Sequence, residues 1–152
     1  MKKLEVFILG IVLLSFMSNI FFLTFMPEMI ATHWTMKGKV DGTMPKYAGL
    51  FMLSVIMSVT AILFINIPRI KSFQENCMRY KKVYDVFVIW FMSFLLLINV
   101  QIILWNTGVI RLKPMAVILA SLVVFFLCLI WKKIAGTGTE ICRLEEGTDK
   151  KR

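Results

Sequence analysis

The residues with the most chemical potential sit together in one short stretch. Between Met26 and Lys46 lie the only histidine of the chain, His33, together with Trp34, Glu28, Asp41, three lysines (Lys37, Lys39, Lys46) and four methionines (Met26, Met29, Met36, Met44). An imidazole and a carboxylate eight positions apart can meet across a bend, and Gly38 and Gly42 permit the tight turns such a bend needs. The readings that stand side by side are a hydrogen bond from His33 to Asp41 or to backbone that folds the stretch over neighbouring helix ends, and a surface that recognises a ligand or peptide. One His with two carboxylates does not supply a nucleophilic triad, and neither HExxH, P-loop nor dinucleotide motifs occur, so a non-enzymatic role is the expectation. The methionines raise Cu(I), which thioethers suit, but four among eleven in the whole chain is a modest excess, and a single His without cysteine cannot close a zinc site. No metal and no cofactor is therefore expected.

The elements that must hold this stretch are apolar. With 59% hydrophobic residues and a mean hydropathy of +0.78, the 152-residue chain carries more apolar surface than a soluble domain can hide. Four uncharged runs meet the length of a membrane crossing: Val6 to Phe25, Tyr47 to Ile67, Val86 to Trp105 and Met115 to Trp131. Pro27, Pro45, Pro68 and Pro114 all fall at their edges, where a missing amide donor does least harm, and Tyr47, Tyr80, Tyr84, Trp105 and Trp131 mark the headgroup zone. The expected fold is an all-α integral membrane protein, four transmembrane helices in an antiparallel bundle over residues 1–135, with a short polar tail at 136–152.

Lys and Arg in short loops favour the cytoplasm. Thirteen of the 18 fall before the first run, between the second and third, or after the fourth; five fall in the other two loops. This predicts a multi-pass cell-membrane protein with both termini cytoplasmic and residues 26–46 and 106–114 outside. The net charge of +9 is scattered over loops and forms no compact basic domain, which argues against nucleic acid and for the anionic face of the lipid bilayer as partner. The N-terminal run lacks a small-residue cleavage site and reads as an anchor. Cys77 and Cys142 are predicted cytoplasmic and Cys128 intramembrane, giving no disulfide outside.

Within the runs, Asn19, Asn99 and Gln101 share an outward depth with Ser18, Thr24 and Ser54. Buried amides need partners, so these residues read either as glue between helices or as the lining of a hydrated site open to the outside. Ser54, Ser58 and Ala61 lie along one face of the second run and suit close helix approach. Asp85, one turn after Lys81, suits a helix N-terminus.

Pro27, His33 followed by Trp34, then Gly38, Asp41, Gly42 and Lys46 occur in the order of a loop signature, and on that signature the chain resembles the SdpI-type immunity protein family over roughly residues 20–65. A second conserved half of full-length members, a Gly-Asn and Gly-Ile-Arg type segment, has no clear counterpart. The resemblance implies a membrane protein that protects a bacterium from a secreted membrane-active peptide toxin, or signals its presence by holding a repressor at the membrane. Combined with the polar positions, it nominates His33, Trp34, Asp41, Lys46, Asn19, Asn99 and Gln101 as ligand-binding residues and a peptide toxin or other external ligand as partner. The rival expectations are a transporter or accessory subunit, with the same polar residues lining a path, and a structural protein that forms homo-oligomers through Ser54 and Ser58.

Overall fold

The computed structural model describes residues 2–71, 80–109 and 119–127. The chain divides into two units, Met1–Val117 and Ile118–Arg152. In the second unit residues 119–127 are helical, inside the predicted fourth run; the rest of that run, the tail 136–152 and all three cysteines lie outside the described residues.

The first unit has three long helices: α1 (Lys2–Phe22), α2 (Lys46–Asn66) and α3 (Lys81–Asn106). With their short 3-10 extensions at Leu23–Phe25 and Ile67–Arg69, all three are long and apolar enough to cross a membrane. In hydrocarbon a chain must satisfy its backbone polar groups internally, and an unbroken apolar run does so most simply as a helix. Proline sets the boundaries. Met26, before Pro27, is forced from the helical region to an extended ψ of 140°, and Pro45, also at ψ 140°, leads into α2. α3 closes at Gly108, whose φ of 73° is the left-handed cap that glycine adopts without steric cost.

The helices run up, down and up, and each packs on the other two. Ile8, Ile11, Leu50, Leu53, Met57, Ala61, Val88, Met92, Leu95, Ile102 and Ile103 fill the space between them. Leu9, Leu13, Met17, Val55, Val59 and Ile62 stay exposed around the outside, the surface expected of helices facing lipid. The end away from the α1–α2 connection is tied by Arg69 to Glu5 at 3.2 Å and by the Tyr84 hydroxyl donating to the Phe64 carbonyl at 2.6 Å, while a Lys81–Asp85 pair lies within the first turns of α3.

The α1–α2 connection departs from the all-α expectation. It is a β-hairpin: β1 (Met29–Trp34) pairs antiparallel with β2 (Val40–Pro45). Gly38, at φ 79°, makes the turn and donates to the Thr35 carbonyl at 2.8 Å. The register slips between Ala31 and Trp34, setting His33 opposite Gly42. At the neck, the Lys46 backbone N–H donates to the Glu28 carbonyl at 2.9 Å and the Lys46 ammonium bonds the Glu28 carboxylate at 2.7 Å.

Candidate functional site

Two groups of polar residues occupy the hairpin end of the three-helix unit, one buried between helices and one on the hairpin. The buried group starts from Asn19 in α1. Its Nδ2 donates to the Leu50 carbonyl at 2.7 Å and to Ser54 Oγ at 2.8 Å, both on α2, while its Oδ1 accepts from Asn99 Nδ2 of α3 at 3.1 Å. Ser54 also bonds Ser15, and Asn99 Nδ2 reaches Ser18 Oγ at 3.5 Å. Ser15, Asn19, Ser54 and Asn99 are almost completely shielded from solvent. One amide therefore ties all three helices, in a setting where each interhelical hydrogen bond contributes about 0.6 to 2 kcal/mol.

Gln101 is buried as well but does not share this side of the helix. It follows Asn99 by two positions, which turns it about 200° around α3. Common depth does not make a common face. Ser15, which the sequence reading passed over, takes the place it assigned to Gln101; Ser15 lies one helical turn from Asn19 and on the same face, and that spacing was the available signal.

The hairpin is mounted on the helix ends by packing and by an amide. Ile30 is wholly buried and sits against Gly49 in the first turn of α2, so closely that a Cβ at Gly49 would stand 2.7 Å from Ile30 Cδ1 and 3.0 Å from Thr32 Cγ2. Trp34 packs edge-to-face on Trp105 of α3, ring centroids 5.5 Å apart. Asn106 supplies the amide: its Oδ1 accepts from the Ala31 backbone N–H at 2.7 Å, and its Nδ2 donates to the Ala31 carbonyl at 2.9 Å and to the Ile102 carbonyl at 2.8 Å. The side chain of Asn106 thus behaves as one peptide unit of a third strand on the edge of β1. From the sequence alone Asn106 is no more than the first residue of the connection 106–114.

Opposite this mounting, the hairpin presents His33 and Asp41. Nδ1 of His33 lies 2.6 Å from Asp41 Oδ1, and the two side chains are 74% and 40% exposed. The slipped register produces this contact by placing both residues on one side of the ladder, and Gly42 makes room for it: a Cβ there would meet His33 Cβ at 2.9 Å. With the proton on Nδ1, the bond to Asp41 fixes the ring and leaves Nε2 as an acceptor facing outward. Lys46 is committed to Glu28 and lies 5.5 Å over the Tyr47 ring. Trp34 belongs to the mounting, and its indole N–H is buried with no hydrogen-bond partner among the described residues.

The structure thus sorts the seven candidate residues into places. His33 and Asp41 form the exposed pair, Trp34 and Lys46 fix the hairpin, Asn19 and Asn99 join the helices, and Gln101 stands apart. The methionines do not converge on His33: Met26 is in the core, Met36 is at the exposed turn, and Met29 and Met44 are at the base on successive register pairs. Among the described residues no three His, Cys, Asp or Glu side chains cluster as metal ligands would.

Comparison with known proteins places part of this arrangement. No curated protein and no solved structure matches the chain. Residues 10–58, from the first half of α1 through the hairpin to the middle of α2, match a family model described as a domain of unknown function, DUF1648.

Proposed function

We propose that this protein is a multi-span membrane protein of the SdpI-like kind whose hairpin end recognises a ligand outside the cell, in the manner of an immunity or signalling protein that meets a membrane-active peptide. The proposal includes the four-span bundle, with the run at 115–131 as its fourth member, and both termini in the cytoplasm, the side to which thirteen basic residues would then belong. It is a proposal of binding and not of catalysis.

One observation carries it. The hairpin is rigidly fixed on its helix side, by Ile30 on Gly49, Trp34 on Trp105 and Asn106 on Ala31, yet it holds a preformed His33–Asp41 pair on its exposed side. A loop that only joins two helices needs neither an ordered sheet nor a fixed imidazole. Binding surfaces are commonly built on loops held by a rigid scaffold. A transporter path through the helices draws less support, because Ser15, Asn19, Ser54 and Asn99 bond one another and the three spans carry no charge between their ends.

The test is thermal stability of the purified full chain in detergent against membrane-active peptides and against Cu(I), Zn(II) and Ca(II), with His33→Ala as control. A saturable stabilisation by a peptide that disappears in His33→Ala is the expected result. Stabilisation by peptides that is indifferent to His33→Ala, Asp41→Ala and Asn99→Leu would move recognition away from this end of the molecule.

A further inference from the structure

The two edges of the hairpin are not equivalent. In an antiparallel ladder the opposed residues alternate between pairs that exchange backbone hydrogen bonds and pairs whose N–H and C=O point away from each other. Ala31 stands opposite Thr43, and the N–H and C=O of Ala31 both go to Asn106. The Ala31–Thr43 pair is therefore of the second kind, so Thr43 directs its own N–H and C=O to the far edge of the sheet. On the β1 side that edge is closed by the Asn106 carboxamide. On the β2 side, Val40, Asp41, Thr43 and Pro45 are exposed, and among the described residues no donor or acceptor meets the Thr43 backbone.

The charges at the turn give this open edge a polarity. Glu28 is paired with Lys46 and Asp41 with His33. Lys37 and Lys39, immediately before β2, are exposed and form no ion pair among the described residues. β2 runs away from these lysines, so a strand antiparallel to it runs toward them and ends its chain beside them.

We propose that the open edge of β2 takes up the C-terminal segment of an extended peptide, antiparallel to β2, with Thr43 exchanging backbone hydrogen bonds and Lys37 and Lys39 receiving the terminal carboxylate. Strand addition of this kind draws its affinity from main-chain bonds and its direction from the terminal charge. Asn106 provides the internal precedent, since an amide already occupies the equivalent position on the other edge. The inference rests on recognition at the hairpin end and specifies the form of the ligand.

The experiment uses the full chain in nanodiscs and two pools of randomised eight-residue peptides, one with free C-termini and one amidated, with retained peptides read by mass spectrometry against empty nanodiscs. Free-acid peptides should be retained about tenfold more than amidated ones. Thr43→Pro removes an N–H that faces the open edge and leaves the β1–β2 bonds in place; it should abolish retention, and K37E with K39E should abolish the preference for the free acid. Unchanged amide protection at Gly42 and Met44 in these variants shows that the hairpin still folds. Retention that survives Thr43→Pro but is lost in His33→Ala would overturn strand addition while leaving recognition at the hairpin intact. Retention of neither pool would remove both.

Discussion

Asn99 and Asn106 are the same residue type, on the same helix, two turns apart, and their side chains do different things. Asn99, in the apolar part of α3, meets another amide and a hydroxyl and joins helices to one another. Asn106, at the last turn, reaches a strand and joins the helix to the hairpin. Neither role is intrinsic to the residue. An amide between apolar helices finds the backbone N–H groups already used and is left with polar side chains and the spare lone pair of a carbonyl, as Asn19 is with Ser54, Asn99 and Leu50, whereas an amide at a helix end finds unpaired backbone. Position along α3 thus separates the buried Asn99, which glues helices, from the half-buried Asn106, which edges a sheet.

That contrast breaks first at Asn19, the amide bonded to Asn99. Asn19→Leu leaves Ser54 and Asn99 short of their partner and should cost about 2 to 3 kcal/mol of stability, spread over all three helices, in denaturant titration of the micelle-bound protein. A loss under about 0.5 kcal/mol would mean that apolar packing alone holds the bundle. Gly49→Ala comes next. The added Cβ meets both Ile30 and Thr32, so about 1 to 2 kcal/mol should be lost, with the hairpin loosening ahead of the helices in hydrogen exchange.

Asn106→Ala sharpens the comparison, because its effect should be confined to the hairpin. About 1 kcal/mol is expected, with faster amide exchange at Ala31 and little change in the exchange of α1 and α2. A global loss equal to that of Asn19→Leu would show that the hairpin is part of the same cooperative unit as the helices. The smallest effect is expected at His33→Ala, within about 0.5 kcal/mol, since the His33–Asp41 pair is largely solvated. Its consequence belongs to binding.

How far the sequence disclosed this arrangement differs by region. The three described spans were legible from uncharged length and proline placement, and the structure moves their ends by a few residues. The Lys2–Glu5 and Lys81–Asp85 segments are helical although charged, which a count of uncharged residues leaves out. The His33–Asp41 contact was one expectation beside a His33–backbone bond and a recognition surface, and the strands that produce it were not anticipated. Met29 to Trp34 has strand-forming Ile, Thr and Trp, yet the bulge at Thr32 interrupts the alternation, and Val40 to Pro45 contains Asp, Gly and Pro, which strands disfavour. Tertiary support from Gly49, Trp105 and Asn106 makes up for that poor local preference. The partners Ser15 and Glu28 were missed because a short hydroxyl and an exposed carboxylate acquire meaning only once the helix faces and the hairpin neck are known.

The attachment of Ala31 to Asn106 spans 75 positions of the chain. During synthesis the hairpin segment emerges with the first two helices, long before the residue that edges its sheet exists. Its first strand must wait, unlatched, until α3 has been made and delivered beside α1 and α2. Nascent chains truncated before Asn106 should for that reason leave the hairpin open to proteases, and completion of α3 should close it: the third helix acts on the first connection as a clasp that arrives last.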